Sequence, residues 1–434
     1  MLASLPCTVR SVHMRSFRGI ARAAATPAAR LSLLPPCRRF TTRASASPSS
    51  LRSFLHSLRI PIIQSPMLGA STVALTESVC AAGATGFLAC GAADAKGIAA
   101  EVSELRRRTK MPFGVNLLIT PSIKEQHALA SQEQLREALR ILAPYYSSCG
   151  AAAPTLPSDS ESFAPDFDTQ FAAVLSCAPF LSSFAFGLLT CAQVSSLHGV
   201  GSFVLGTATT VAEAHAWVEV GADGIIAQGM EAGGHRGGFT SNSQQQLEAD
   251  IPARNGGLLP TASLLSALQS SLPSSIAVVC AGGIMDGRGV AASLALGADA
   301  VAMGTAFLRT PQAATHPAWR SAIEAVCAQQ GESDPTRLTG AFTGRFARGL
   351  DNRFMQSMRA SGAEAKMPPY PLTNKLTQAL RAAAVKQHKA DLTSLWAGSG
   401  VRAAREADAA ELVRHWWQQA QQTSLELAAR TAPP

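Results

Sequence analysis

The feature that most constrains the fold is a repeated alternation of short β-type runs with Ala- and Leu-rich helical stretches. Glycine or a polar residue occurs at the end of each run or within the next two positions, which is typical of parallel α/β proteins. The eight runs are Pro61–Met67, Thr85–Gly91, Phe113–Ile119, Ser183–Leu188, Ser202–Ala208, Gly224–Met230, Ile276–Ile284 and Ala300–Phe307. Eight such units predict an α/β fold built as a closed (β/α)8 TIM barrel, because a doubly wound sheet usually has fewer strands.

Three further segments fall outside this repeat. Residues Ser147–Asp168 are rich in Ser, Pro and Ala and are predicted to form a loop. Residues Phe239–Gly257 form a polar insertion after the sixth strand and are a candidate lid over the site. Residues 311–434 are predicted to be a helical C-terminal section. A loop region inside that section is marked by Gly344, Gly349, Pro368, Pro369 and Pro371.

The first 48 residues have the composition of an organelle transit peptide. The first 50 residues contain eight Arg, no Lys and no acid, and residues 14–30 can form an amphipathic helix. We therefore expect 1–48 to be a disordered transit peptide and 49–434 to be one barrel domain. A mitochondrial destination is expected, with the plastid as the alternative, and an extension without an address is the third interpretation. A secretory signal is disfavoured because no apolar core of suitable length follows the first Arg.

Charge and cysteine usage exclude several classes of protein. The eight leader arginines account for the whole formal net charge of +8, so no basic surface for nucleic acid is expected. The nine cysteines include no CxxC pair, which indicates free thiols in a reducing compartment. The most apolar window, 171–190, contains Pro179 and three serines and is a poor membrane span. We expect no contact with nucleic acid or membrane.

Glycines at the ends of the last two strands indicate a phosphate site. Gly282 and Gly283 follow the seventh strand, and Gly304 and Thr305 end the eighth. Backbone N–H groups can converge on a phosphate where side chains are absent, and TIM barrels often bind phosphate at these two loops. The alternative interpretation is that these glycines only permit tight turns.

A second group of candidates lies near the ends of strands 1, 3 and 6. His235 follows Gly233 and Gly234 in a glycine-rich loop, where an imidazole can exchange a proton with a ligand. A lone histidine is more often structural, and that alternative stays open. Asn116 can bind the edge of a heteroaromatic ring or can cap a strand.

Other chemistries lack their motifs. No HExxH, CxxC or paired-carboxylate spacing occurs near the strand ends, so no metal site is predicted. No GxSxG elbow is present, which disfavours a serine hydrolase. A phosphate-bearing cofactor beside one histidine indicates flavin chemistry.

From about Ile60 to Ala420 the chain resembles the nitronate monooxygenases, also called 2-nitropropane dioxygenases. Glu231 to His235, in the sequence EAGGH, is the most distinctive match. The other matching segments are Pro61–Gly69, Gly114–Leu117, Ser183–Gly187, Gly206–Thr210, Ala227–Gly237, Ala281–Phe307, Gly344–Leu350, Pro369–Pro371 and Leu395–Gly400.

The resemblance implies a metal-free barrel that holds FMN non-covalently, with His235 as the catalytic residue. It assigns FMN contacts to Pro66, Met67, Asn116, Gln228, Gly233, Gly234, Gly282, Gly283, Gly304 and Thr305. Two departures put details in doubt. Ser399 stands where the family usually has Gln, and the loop after strand 6 is longer and more polar than expected.

The implied reaction is oxidation of alkyl nitronates by O2 to a carbonyl compound and nitrite, and whether neutral nitroalkanes also react is left open by the sequence. Propionate 3-nitronate is a plausible substrate by the same resemblance. The runner-up is an FMN-dependent enoyl-thioester reductase. A flavin-free phosphate-binding isomerase or synthase and a non-catalytic barrel are further alternatives. A homodimer is a possible assembly.

Overall fold

A closed barrel of eight parallel strands forms the centre of the molecule in the computed structural model, which describes residues 49–158, 161–240, 259–329, 331 and 333–431. The predicted leader and most of the candidate lid lie outside these residues. Neighbouring strands pair in the order β1-β2-β3-β4-β5-β6-β8-β9, and Ile63 of β1 pairs with Ala302 of β9 to close the ring. The barrel strands are β1 Ile62–Gln64, β2 Thr85–Ala89, β3 Gly114–Leu118, β4 Leu181–Ala185, β5 Phe203–Ala208, β6 Gly224–Gln228, β8 Ala277–Ala281 and β9 Ala300–Met303. The TIM-barrel prediction is confirmed.

Most strands are shorter than the sequence predicted, because backbone conformations end them early. β4 stops at Ala185 since Phe186 has a φ of 77°, and β8 stops at Ala281 since Gly282 and Gly283 have φ values of 131° and 69°. After β9 the chain turns into a short 3-10 helix, Thr305–Phe307. The residues released from these strands form the loops at the C-terminal end of the barrel.

Helices surround the barrel and follow its strands. They are α1 Leu51–Ser57, α2 Val73–Ala81, α3 Ala95–Arg108, α4 Ile123–Ala128, α5 Gln132–Ser148, α6 Phe167–Cys177, α7 Cys191–Gly199, α8 Val211–Glu219, α9 Thr261–Ser271, α10 Gly287–Ala295, α11 Pro317–Ala328, α12 Arg353–Ala360, α13 Leu372–Lys386 and α14 Ala409–Thr431. Many begin at a side-chain cap, such as Asp94 at α3 and Thr72 at α2. The predicted loop Ser147–Asp168 is largely irregular, although α5 extends into its start and α6 begins at its end.

The N-terminal end of the barrel is closed by α1, which the sequence did not predict. Leu51, Phe54 and Leu55 are buried among the side chains that fill the barrel interior. The helix is tied to the barrel by the buried carboxylate of Asp299, which accepts from Arg52 Nε and also contacts His56 Nε2, both at 2.7 Å. This end of the barrel is therefore filled and sealed.

A second layer covers the other end. It combines α4 and α5, which are inserted between β3 and β4, with α12 and α13 from the C-terminal section. These elements share a hydrophobic core of their own, which includes Leu142, Tyr146, Phe342, Phe354 and Leu376. The barrel mouth is therefore roofed by segments that lie far apart in the sequence.

The C-terminal section is helical only in part, so that prediction needs correction. It contains strands β10 Thr336–Thr339 and β11 Ala347–Leu350, which form an antiparallel sheet with β7, Gly234–His235. Gly349, predicted to lie in a loop, lies in β11 and forms a bridge with Trp396. The strands were missed because β11 is short, contains a glycine and pairs with a segment more than 100 residues away.

Several bulk properties can be read from the described residues. None of their helices is long and apolar enough to cross a membrane, and none of their His, Cys, Asp and Glu side chains forms a cluster that could hold a metal ion. All seven of their cysteines are free thiols.

Candidate active site

A cavity of about 740 Å³ opens between the C-terminal end of the barrel and the second layer. This volume falls in the range of cofactor and small-ligand sites, roughly 300–1,000 Å³. All eleven residues that the sequence singled out line this one cavity, which brings together segments from the ends of β1, β3, β6, β8 and β9. The structure thus shows that these eleven residues share one cavity. The roles assigned to them remain predictions.

Four residues of the cavity wall, in two consecutive pairs, have backbone N–H groups with no hydrogen-bond partner in the described part of the chain. Among the described residues, none of the N–H groups of Gly282, Gly283, Gly304 and Thr305 donates to a protein acceptor in a turn, loop or side-chain contact. Buried amides are rarely left unpaired, so these donors are suited to an anionic ligand. A Cβ on Gly304 would meet nothing closer than Met67 Sδ at 3.5 Å, which leaves that space to a ligand.

Close packing of the surrounding loops requires other glycines. A Cβ on Gly233 would lie 2.5 Å from Gly398 N, and one on Gly282 would lie 2.6 Å from Thr261 Oγ1. Gly398 N in turn donates to Thr305 Oγ1 at 2.9 Å. Ser399 is not part of the cavity wall, and its N–H donates to Glu231 O at 3.0 Å. These contacts join the loops after β6 and β9 to the Leu395–Gly400 segment.

The side-chain amides of Gln228 and Asn116 both form hydrogen bonds within the protein. Gln228 Nε2 donates to His235 O at 3.0 Å, and Gly237 N donates to Gln228 Oε1 at 2.8 Å, so Gln228 braces the loop that carries His235. Asn116 Nδ2 donates to Ser183 O and Ser183 Oγ at 3.2 and 3.0 Å. Asn116 Oδ1 therefore remains as the acceptor that this side chain can offer to a ligand.

His235 lies in a frame of aromatic rings. Its ring centroid lies 5.5 Å from Phe186, 6.1 Å from Tyr370 and 5.4 Å from Trp396. Its backbone is fixed in β7, opposite Ala347 of β11, and its Nε2 lies 2.9 Å from Thr343 Oγ1. The ring is half-buried, with its free edge on the cavity.

Burial and two nearby cations keep this imidazole neutral. Burial is the largest cause, and the charges of Arg345 and Arg381 add to it, so the pKa of His235 falls from 6.5 to about 3. Burial likewise lowers the pKa of each of these two guanidinium groups to about 10, so both stay charged at neutral pH. The positive charge near the site therefore comes from Arg345 and Arg381, whereas His235 is neutral.

The two arginines come from different segments, Arg345 from the turn before β11 and Arg381 from α13. Arg345 donates from Nε to Arg236 O at 2.9 Å and stacks over the Phe186 ring, with Cζ 4.0 Å from the centroid. Arg381 folds back along α13 by seven residues and donates to Asn374 O and Oδ1 at 2.9 and 2.7 Å. No carboxylate forms an ion pair with Arg381 in the described part of the chain.

The wall of the cavity contains no acidic residue among those described. Its charged members are Arg381 and Lys386, both on α13. Uncompensated cations next to a half-buried space favour anions, because the low-dielectric surroundings strengthen the attraction. The cavity is therefore electrostatically suited to a ligand that carries negative charge.

Several residues of this site were missed by sequence reasoning. Arg345 and Tyr370 lie in segments quoted only for their resemblance, and Thr343 lies just before one of these segments. No role was derived for any of the three. Arg381 was not singled out at all. One signal was available, since Asn374, Gln378, Arg381 and Val385 form a stripe at helical spacing on α13. Nothing in the sequence placed that stripe over the barrel mouth.

Comparison with known proteins identifies the family. The family model described as "Nitronate monooxygenase" matches residues 49–419. A nitronate monooxygenase from Pseudomonas aeruginosa is 40% identical over 357 residues, which cover 82% of this chain and 94% of that protein. The chain belongs to the nitronate monooxygenase family. The family is therefore the one that the sequence resembled.

Solved structures agree with this family assignment. A nitroalkane oxidase from Streptomyces ansochromogenes superimposes with a TM-score of 0.73 at 34% sequence identity. The alignment covers 86% of the present chain and 99% of that oxidase. FabK from Thermotoga maritima superimposes with a TM-score of 0.63 at 23% identity, covering 90% and 100% of the two chains. That second likeness concerns the fold alone.

Proposed function

We propose that the protein is an FMN-dependent nitronate monooxygenase, which oxidises alkyl nitronates with O2 to a carbonyl compound and nitrite. The observation that carries the proposal is a cavity at the barrel mouth whose described wall has no acidic residue and combines unpaired backbone amides, two cations and His235. The named activities of the relatives from Pseudomonas aeruginosa and Streptomyces ansochromogenes support the choice of substrate.

The residues present fit FMN. The unpaired amides of Gly282, Gly283, Gly304 and Thr305 would hold its phosphate, because backbone N–H groups without protein acceptors are suited to an anion. Pro66, Met67, Asn116, Gln228, Gly233 and Gly234 would border the rest of the cofactor. When bound, FMN supplies the redox chemistry between the substrate and O2.

The protein's own side chains bind and orient the substrate. A nitronate is an anion, and the guanidinium group of Arg381 offers it a charged donor at the cavity wall. Phe186, Tyr370 and Trp396 enclose the space beside His235 and limit the access of water. Arg345 adds positive charge from behind the Phe186 ring.

The state of His235 favours nitronates over neutral nitroalkanes. General-base catalysis is most efficient when the pKa of the base lies near the working pH. Because the pKa of His235 is lowered to about 3, its imidazole is neutral but weakly basic. We therefore expect the pre-ionised nitronate to be the better substrate and proton abstraction by His235 to limit turnover of the neutral form.

The first test is the absorbance spectrum of the purified protein together with its oxygen uptake. The proposal expects a yellow protein that consumes O2 when a nitronate is added and releases nitrite. A colourless, flavin-free protein would contradict it. Rapid reduction of the bound flavin by NADPH, without oxidation of nitronate, would instead indicate an enoyl-thioester reductase.

The second test compares His235→Asn on two protonation states of one substrate. Activity on the neutral nitroalkane should fall about 10²-fold or more, because the variant removes the base, and activity on the nitronate should fall much less. Steady-state oxygen uptake with each form measures both. An equal loss on both forms would leave His235 with a positioning role alone.

The remaining expectations extend this proposal. We propose that residues 1–48 direct the protein to a mitochondrion, with the plastid as the alternative, on the basis of their acid-free and Arg-rich composition. A homodimer is a possible assembly of the folded domain.

A further inference from the structure

The hydroxyl group of Thr343 has two neighbours that compete for its single proton. Thr343 Oγ1 lies 2.9 Å from His235 Nε2 and 3.0 Å from the carbonyl oxygen of Arg345. A carbonyl oxygen can only accept a hydrogen bond, whereas a ring nitrogen can donate or accept. The hydroxyl therefore donates to Arg345 O, since the other choice would bring two oxygen lone pairs together at hydrogen-bond distance.

This assignment determines the tautomer of His235. With the hydroxyl proton committed to Arg345 O, Thr343 Oγ1 can only accept from His235 Nε2–H. A neutral imidazole has one N–H, so Nδ1 carries the lone pair. None of the described residues donates to Nδ1, and the edge of the ring on the cavity is open to a ligand.

We propose that Thr343 is a positioning residue, which holds His235 in the Nε2–H tautomer and so makes Nδ1 a proton acceptor facing the ligand. The hydrogen bond lies next to the strand pairing that holds His235, because His235 in β7 pairs with Ala347 of β11, and β11 begins two residues after Arg345. The assignment of the ligand rests on the proposed function, whereas the tautomer does not.

The turn that carries Thr343 has little freedom to move. Gly344 has a φ of 75°, and its N–H donates to Gly340 O at 2.7 Å. A Cβ on Gly344 would lie 2.3 Å from Pro368 O, and Tyr370 N donates to Gly344 O at 3.0 Å. Thr343 itself is only 1% exposed. The hydroxyl is thus fixed against both the small sheet and the second layer.

The tautomer assigns different tasks to the groups around the ligand. A lone pair on Nδ1 repels the oxygens of a nitronate, so His235 does not serve as their hydrogen-bond donor. Binding of the anion is left to Arg381, whose guanidinium group borders the same cavity. Nδ1 is placed to take the proton from the α-carbon of a neutral nitroalkane, and that proton stays on the ring nitrogen until solvent removes it.

The imidazole nitrogens of the flavin-loaded protein report the tautomer directly. Protein labelled with 15N in its histidines would be measured by NMR at neutral pH, and His235→Gln would identify the signals of His235. We expect a protonated Nε2 and an unprotonated Nδ1. A protonated Nδ1 would overturn the proposal. This measurement needs no substrate, so its outcome is independent of whether the proposed activity is right.

Two substitutions then test the part played by Thr343. Thr343→Val keeps the β-branched shape but removes the acceptor, so the ratio of the two tautomers should shift toward Nδ1–H by roughly 2- to 10-fold. Thr343→Ser restores the hydroxyl and should restore the ratio. Thr310→Val removes a buried hydroxyl that bonds Phe307 O at 2.8 Å, and it should leave the signals of His235 unchanged.

If Thr343→Val folds and its tautomer ratio equals that of the wild type, then Thr343 does not determine the tautomer of His235. If that variant does not fold, the wild-type signals and those of Thr343→Ser still decide, because an Nδ1–H tautomer in either one contradicts the proposal.

Discussion

The two ends of the barrel differ in the kind of groups that line them, apolar side chains at one end and polar backbone and cationic groups at the other. The N-terminal end is filled with apolar side chains and closed by α1. The buried carboxylate of Asp299, just before β9, is satisfied there by Arg52, His56 and the Val278 N–H. At the C-terminal end, the described residues include glycines in place of side chains, backbone amides without protein partners and, in Arg381 and Lys386, cations without a paired carboxylate. One end satisfies its polar groups internally, and the other leaves them for a ligand.

This difference separates stability from chemistry within one barrel. Large apolar side chains at the sealed end contribute burial free energy, which is insensitive to what is bound at the other end. Unpaired amides and cations at the open end destabilise the free protein but gain their partners when an anion binds. Substitutions at the two ends should therefore affect different measurements.

Removal of a large side chain from the sealed end should produce the largest effect on stability. Phe54 is 4% exposed and its ring centroid lies 4.6 Å from that of Phe180. Phe54→Ala should lower the free energy of unfolding by about 3–5 kcal/mol, measured by denaturant titration of the flavin-loaded protein. The exposed Leu427→Ala is the control. A matching loss of flavin affinity in the folded variant would show that the ends are not independent.

A side chain added at the proposed phosphate site, at Gly304, should lower the affinity for FMN while the protein stays folded. Gly304→Val should give soluble protein whose affinity for FMN is lower by about 10²-fold or more, because several charge-assisted hydrogen bonds are lost. Flavin fluorescence titration measures the affinity, and Gly199→Val, on an exposed helix end with no atom within 4 Å of its Cβ, is the matched control. Full occupancy by FMN in Gly304→Val would place the phosphate elsewhere.

Loss of the cation on α13 should affect substrate binding more than cofactor binding. Arg381→Met keeps the length of the side chain but removes its charge, so KM for a nitronate should rise roughly 10-fold. FMN content should stay near that of the wild type. Arg353→Met removes an exposed arginine of α12 and serves as the control. Unchanged kinetics in Arg381→Met would mean that the substrate anion lies elsewhere in the cavity.

A further expected effect is a pH dependence of stability due to His235. Its pKa is lower in the folded protein, about 3 instead of 6.5, so the unfolded chain binds the proton more readily. The stabilisation is therefore present above pH 6.5 and is lost as the pH falls toward 3. Denaturant titrations of the cofactor-free protein should show a steeper loss between pH 6.5 and 4 for the wild type than for His235→Gln. Parallel profiles would contradict the low pKa.

Much of the open end could be predicted because its signals are local. The glycines at 282, 283 and 304 and the loop around His235 follow directly from strands whose β-type runs are visible in the sequence. The second layer could not be predicted, since it depends on pairing between β7 and β11 and on packing between α5 and α13, which lie hundreds of residues apart. Arg381 and Thr343 enter the site only through these non-local contacts.

Helix α13 uses separate faces for folding and for recognition. Leu372, Leu376, Leu380 and Ala384 point into the core of the second layer, whereas Asn374, Gln378, Arg381 and Val385 border the cavity. Because the two stripes share no side chain, the cavity-facing stripe can change without loss of core packing. If the proposed function is right, single substitutions in the cavity-facing stripe should change the substrate preference at little cost to the stability of the fold.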